Sequence, residues 1–551
     1  MQSEYRRISI SAIRQASAAG NSLKLRATAG RDGPCTPPVV LASLRSAAVF
    51  GVEACPVQVE VDVGFGFPCF TMVGLPDASV RESRDRVRSA IRNSGFEFPP
   101  HRITVNLAPA DVRKAGASFD LPIALGILAA SGVVERRLIA DFVLLGELSL
   151  DGSIHATRGV LPIAAAARRD GLSGLLLPAA NAGEAAIVAG LEIVAVSSLA
   201  DAVRALNDPA GFRANPPARP DPPGPPAQPD RRREAPPDLA DVRGQLLPRR
   251  ALEVAAAGGH NLLLVGPPGA GKTMMARRVS GILPPLSFDE ALEVTAVHSV
   301  VGLLPAGAGL LTDRPFRAPH HTISNAALIG GGSQPRPGEV SLAHHGVLFL
   351  DEMLEFSRHV LEVLRQPLEE GRVAVARAAR TAVFPARFML VGAMNPCPCG
   401  FATDPSRECR CTPRELARYR ERLSGPLRDR LDLTVDVPAV PLDVLGDGAE
   451  RGESSAAVRV RVVAARTRQA ERYAAHGITT NAQLTPALMA AYCGTDRASL
   501  RVLQAAMRTI ALSARGYDRV RKVARTIADL AGEDRLAADH LAEALQFRMV
   551  G

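Results

Sequence analysis

Lysine is almost absent from this 551-residue chain. Only Lys24, Lys114, Lys272 and Lys522 occur, and arginine supplies every other basic side chain. A lysine kept in so arginine-biased a chain marks a position that needs a compact point charge. Long hydrophobic runs are missing too. No stretch reaches about 18 consecutive apolar residues, which excludes an ordinary transmembrane helix. Residues 1–30 hold scattered arginines and serines and no continuous apolar segment, so no secretory signal is read there. A cytoplasmic location is expected. The 8 cysteines are too sparse for a disulfide framework in so long a chain. No self-similarity recurs at a solenoid period.

What is present points to several packed units. The apolar content of 47% is ample for cores, and the length allows roughly three to four domains. The net charge of +9 suits a polyanionic partner, although the general Ala, Arg, Pro and Gly bias weakens that argument. Residues 1–38 are polar and aperiodic and end in Pro37-Pro38. They read as a disordered extension, of the kind an upstream start assignment adds. Residues 39–206 alternate strand-like runs (57–63, 103–107, 142–145) with helical stretches (79–93, 121–130, 161–169), giving an α/β or α+β domain. Residues 207–237 are Pro-rich and read as a semi-rigid linker. A second α/β region spans 238–440, and residues 454–551 are helical in pattern.

The sharpest motif is Gly266-Pro267-Pro268-Gly269-Ala270-Gly271-Lys272-Thr273, a phosphate-binding loop. Glycines let backbone N–H groups turn toward phosphates, Lys272 adds a point charge, and the Thr273 hydroxyl suits Mg²⁺. The apolar run 260–265 before it reads as a buried strand. A helix opens after it at Met274, placing a positive dipole end against the phosphates. A second apolar strand, 346–350, ends in Asp351 and Glu352. Asp351 suits the metal, and Glu352 suits a general base acting on water. A third strand, 388–394, ends in Asn395, whose amide can position that water.

This order of elements resembles the AAA+ ATPases. Longer segments narrow the resemblance: Arg317 to Ser324, Gly330-Gly331-Gly332, Pro337 to Gly346, and Asn395 to Gly400 look like the ComM/YifB family of magnesium-chelatase-like AAA+ proteins. The resemblance covers about residues 40–550. It implies ATP and Mg²⁺, a homo-hexameric ring with sites between subunits, and an arginine supplied by a neighbour. Arg430, in Gly425 to Asp432, is the residue carried over as that finger, with Arg428 as its decoy. The 454–551 region then becomes the family's lid, with Arg525 as first choice for sensing nucleotide in cis and Arg519 as second.

In the first domain, Lys114 to Pro122 and Gly146 to Gly152 resemble the Lon protease family, with Ser118 at its nucleophile position. The partner lysine of that family belongs in the following helix, and 161–169 has none. Arginine cannot replace it, because guanidinium does not release a proton near neutral pH. Lys114 is too early. Protease activity is therefore disfavoured, and Ser118 reads as a cap or packing residue of the 119–130 helix. Cys397, Cys399, Cys409 and Cys411 form a CxC…CxC set just after Asn395. A structural Zn²⁺, a redox pair and unligated thiols all remain open for it, and the set reads as a clip on an exposed loop.

Three function classes compete. The family resemblance implies an ATP-driven DNA motor acting on single-stranded or branched DNA during transformation or recombination. The alternative is a magnesium-chelatase-like remodelling subunit that does not act on DNA. A Lon-like protease is third. Arg459, Arg461, Arg466, Arg468 and Arg472 share one predicted helix, where a solvated face competes with phosphate contact.

Overall fold

The computed structural model describes residues 40–110, 114, 116–135, 141–214, 237–305, 307–332, 335–376, 381–404, 407–440, 451–510 and 513–548. The extension at 1–38 and most of the Pro-rich linker lie outside them.

The first domain is built on a long hairpin. Val40–Phe50 and Glu53–Gly64 pair antiparallel from Val40↔Val63 to Phe50↔Glu53. Alternation drives it: Val57, Val59 and Val61 are buried, while Gln58 between them is exposed. Five further strands complete a mixed seven-stranded sheet: Cys69–Val73, Arg102–Ala108, Phe142–Leu144, Gly174–Pro178 and Glu192–Val196. Helix Asp120–Ala130 lies against this sheet with every residue buried. Its Asp120 carboxylate accepts from Arg86 at 2.8 Å and from the Leu148 N–H at 3.3 Å, so the buried charge is paired.

Ser118 does not cap this helix. The helix begins at Asp120 without a side-chain cap, and the Leu121 N–H donates instead to the Gly146 carbonyl. Lys114 is fully buried and donates to the Pro109 carbonyl. Helix Val160–Arg169 carries Arg168, which donates to the Ala189 carbonyl at 2.6 Å.

The second domain holds a five-stranded parallel sheet, in the order Phe316–Arg317, Val347–Leu350, Met389–Met394, Leu262–Val265, Leu433–Asp436. Its central strands are continuous apolar runs, as expected where helices cover both faces. Among the described residues the first domain touches this one at several points, including a bond from the Gly307 N–H to the Ala180 carbonyl at 3.1 Å. Gly159 N–H donates to the Ser299 carbonyl at 3.2 Å, and Phe50 and Val52 of the long hairpin pack onto the apolar cluster beneath hairpin Arg372–Ala376/Thr381–Pro385.

From 454 onward the described residues form only helices and turns. Helices Ser455–Arg472, Arg497–Ile510, Ala514–Ala531 and Ala538–Gln546 share one core with the sheet: Val458, Val462, Leu503, Val520 and Leu541 cluster with Leu252, Leu262 and Met275. The five arginines of Ser455–Arg472 all bond at this junction: Arg459 and Arg468 stay exposed, in keeping with a solvated face, while Arg461, Arg466 and Arg472 are half-buried. Arg459 donates to the Gly281 carbonyl at 2.8 Å, Arg461 to Glu253 at 2.5 Å, and Arg466 to the Ala256 carbonyl at 2.8 Å. Arg468 donates to the Gly532 carbonyl at 2.8 Å, and Arg472 grips Asp529 at 2.6 and 3.0 Å. Three of the heads bond carbonyls near helix ends and two bond carboxylates, so all five are engaged within the chain. Among the described residues no helix is long and apolar enough to cross a membrane.

Candidate nucleotide-binding site

The parallel order of the sheet brings three strand ends together. Leu262–Val265 is central, with Met389–Met394 on one side and Leu433–Asp436 on the other. Its C-terminal end opens into Gly266, whose N–H donates to the Met394 carbonyl at 3.2 Å. A side chain at Gly266 would collide with the Val437 carbonyl, so only glycine lets the loop leave the strand here. Helix Lys272–Ile282 starts at Lys272 on a left-handed Gly271. The N–H groups of its first turn therefore face the loop.

Side chains from three segments meet in this cradle. Lys272 Nζ donates to the carbonyls of Gly266 at 2.6 Å and Pro267 at 2.8 Å and to Asn395 Oδ1 at 3.2 Å. Burial pushes its pKa below the ordinary lysine value, against the pull of Asp351 and Glu352. Thr273 Oγ1 donates to Asp351 Oδ2 at 2.6 Å. Adjacent ligands of an octahedral Mg²⁺ lie about 2.9 Å apart, so this hydroxyl–carboxylate pair fits one shared cation with little movement. Glu352 is exposed and its backbone is left-handed at φ 48°, a strained setting for a side chain at the end of a strand. The Pro268, Gly269 and Ala270 stretch forms the turn, with Ala270 N–H donating to the Pro267 carbonyl at 3.3 Å. Met274, on the first turn of the helix, is 38% exposed.

Other expected residues stand elsewhere. The Arg430 carbonyl accepts from the Asn261 amide at 2.9 Å, and Asn261 precedes the strand whose far end is the loop. Arg430 is thus at the opposite end of the sheet from its own phosphate loop, roughly 13 Å of strand away. Its head is paired with Glu369 and bonded to the Pro426 carbonyl at 2.5 Å. Burial lowers its pKa, with Arg365, Arg515 and Arg519 adding to the effect. The decoy Arg428 is exposed.

Arg525 is corrected more sharply. Its side chain is 1% exposed and spends its donors on Asp529 at 3.0 Å, the Asp534 carbonyl at 2.6 Å and the Glu533 carbonyl. That set closes the end of its own helix and leaves no donor aimed at a nucleotide. Arg519 is held by Asp432 at 3.6 Å and the Leu431 carbonyl at 3.3 Å, on the Arg430 side of the sheet.

Two features escaped sequence reasoning. Gly400, in the cysteine loop, packs on the Pro268 ring so closely that a Cβ there would sit 2.7 Å from Pro268 Cδ. The cysteine loop is therefore the phosphate loop's neighbour, with Cys397 buried, and is not a free surface clip. Two of the segments carrying the family resemblance bind one another, Arg317 forking onto Glu339 at 2.6 and 2.8 Å, while His344 and His345 both reach Glu293 of helix Phe288–Val301, at 2.8 and 2.9 Å. His344 Nδ1 accepts from the Arg387 N–H at 3.0 Å. Its proton is therefore on Nε2, facing Glu293, which leaves that nitrogen no lone pair for a cation.

Three family descriptions and several relatives match this chain. The family described as "Magnesium chelatase, subunit ChlI" matches residues 238–445, "Subunit ChlI of Mg-chelatase" matches 59–181, and "Magnesium chelatase, subunit ChlI C-terminal" matches 452–548. Competence protein ComM of Haemophilus influenzae is 44% identical over 516 residues, covering 92% of this chain and 97% of that protein. The YifB protein of Salmonella typhimurium is 43% identical over 517 residues, covering 93% and 97%. The magnesium-chelatase 38 kDa subunit of Rhodobacter capsulatus is 27% identical over 151 residues, covering 24% of this chain and 43% of its own length. Identity of this extent over nearly the whole of both chains places the protein in the ComM/YifB family of magnesium-chelatase-like proteins.

Proposed function

We propose that the chain is an ATP hydrolase whose sites lie between copies in a hexameric ring, and that turnover drives movement on single-stranded or branched DNA. One observation carries the hydrolase reading: Lys272, Thr273, Asp351 and Asn395, from three separate segments, meet at one loop. The loop N–H groups and Lys272 would hold the phosphates, and Thr273 with Asp351 would hold Mg²⁺, which would supply charge neutralisation for phosphoryl transfer. Glu352 takes the proton of the attacking water, and Asn395 orients both that water and the lysine. Arg430 supports the ring reading: it stands at the far end of its own sheet from the phosphate loop, and on exchanging its Glu369 partner it would serve a neighbour's phosphate, where a planar cation contributes most in the transition state.

The DNA part is supported by the name of the Haemophilus relative, a competence protein, and by the net charge of +9. The hairpin Arg372–Ala376/Thr381–Pro385 is a further support, since the sequence joining its strands carries Arg377 and Arg380. The second reading is a chelatase-like remodelling ATPase without DNA, favoured by the three chelatase-subunit segments that match in order. ATPase rates measured alone and with single-stranded, duplex and four-way-junction DNA separate the two. Stimulation by one of the three is expected. A rate indifferent to all of them transfers the case to the remodelling reading.

A further inference from the structure

The four sulfurs after Asn395 converge on one point. Cys397 and Cys399 Sγ are 3.3 Å apart, Cys399 and Cys409 3.6 Å, and Cys409 and Cys397 3.8 Å. With Cys411, all four lie within 4.8 Å of one another, and none is in a disulfide. A tetrahedral Zn²⁺ with bonds of about 2.3 Å sets its thiolates about 3.8 Å apart, within half an ångström of the 3.3, 3.6 and 3.8 Å separations seen. Backbone N–H groups are aimed at the sulfurs: those of Phe401 and Arg410 at Cys399, that of Cys399 at Cys411, and that of Cys411 at Cys409. Donors so placed orient and steady metal-bound thiolates.

We propose that Cys397, Cys399, Cys409 and Cys411 hold one Zn²⁺, and that this ion fixes the wall of the phosphate site. The coupling rests on the ATPase reading; the metal site does not. Two contacts transmit it. Cys397 is two residues past Asn395, the partner of Lys272 Nζ. Gly400, between the ligands in sequence, leans on Pro268 of the phosphate loop. A cation–π contact of Arg407 over Phe401, at 4.9 Å, closes the outer side of the loop. Without the ion, nothing holds four thiols this close, since thiolates repel and thiols pair only weakly. The loop then relaxes, Pro268 loses its backing and Asn395 its anchor. Phosphate binding, which is carried by Lys272 and the first turn of its own helix, persists.

Elemental analysis of the full chain, purified under reducing conditions without chelator, tests the site. About one zinc per chain is expected, and none in Cys409→Ser/Cys411→Ser. Absence of metal from the wild type, or iron in its place, overturns the assignment. The coupling is read on one sample stripped by a chelator and then resupplied with Zn²⁺. Turnover should fall at least tenfold on stripping and return with zinc, while affinity for a fluorescent ATP analogue changes less than threefold. Unchanged turnover in stripped protein overturns the coupling. A wild type that binds zinc but never hydrolyses ATP removes the nucleotide reading, and the coupling with it, and leaves the metal site standing.

Discussion

Arg525→Ala separates a structural arginine from a nucleotide sensor. The guanidinium is buried among the Asp529 carboxylate at 3.0 Å, the Asp534 carbonyl at 2.6 Å and the Glu533 carbonyl. Removing it orphans two carbonyls and leaves a cavity the size of a long side chain. Asp529 keeps Arg472 at 2.6 Å and Asn481 at 2.8 Å, so its charge is not stranded. That places the loss at the low end of the ~3–5 kcal/mol typical for breaking a buried pair, about 3 kcal/mol. The lid shares its core with the parallel sheet, giving a cooperative unit of roughly 300 residues with an unfolding entropy near 0.6 kcal/mol/K. The melting temperature should therefore drop by about 5 °C. ATP affinity, titrated well below that temperature, should stay within about twofold, and Arg525→Lys should not rescue stability, since an ammonium lacks the fork. An unchanged melting temperature with ATP affinity weakened tenfold would refute the reasoning and restore Arg525 as the sensor.

Glu352→Gln should keep ATP binding and lose turnover by about 10²–10⁴-fold, the usual worth of a general base; single-turnover kinetics showing near-normal hydrolysis would reassign the base. Ser118→Ala should leave ATPase and any DNA activity intact, and the wild type should not cut unfolded protein with ATP present; proteolysis abolished by that substitution would reinstate the protease class. Glu293 is held down at about 2 from its ordinary 4.5, by the hydrogen bond from His344 first and, against burial, by that from His345. Its folded pKa is depressed, so its stabilisation is present above about pH 4.5 and is lost as pH falls toward 2. The destabilisation by Glu293→Gln in urea unfolding should then be larger at pH 7 than at pH 3, and a difference independent of pH would contradict the pairing.

The phosphate loop, Asp351 and Asn395 were legible because each is a contiguous signal: an apolar strand run that ends in the residue its chemistry needs. The three central strands of the parallel sheet were equally readable, since parallel pairing there demands uninterrupted apolar runs such as Leu262–Val265, whereas the edge strands Phe316–Arg317 and Leu433–Asp436 carry polar residues and were not read. Side-chain partners far apart in sequence were not. Arg461 and Glu253 are 208 residues apart, and nothing local distinguishes a solvated arginine from one that pairs with a distant carboxylate. Arg525 fell on a helix as expected, but its direction is set by Asp529 one turn on and by the carbonyls of the turn after the helix. The Gly400–Pro268 approach is invisible in sequence because both residues also read as ordinary turn formers. Cysteine spacing left three outcomes open, and the convergence of four sulfurs, which spacing does not reveal, is what the zinc proposal rests on.

The claim that a neighbour completes each site has a direct test. Arg430→Ala and Lys272→Ala are each expected to be inactive as pure oligomers. Mixed in equal amounts, about a quarter of interfaces should pair an intact loop with an intact finger, so ATP hydrolysis should recover to as much as a quarter of the wild-type rate. No recovery, in oligomers shown by mass to contain both variants, would contradict the account.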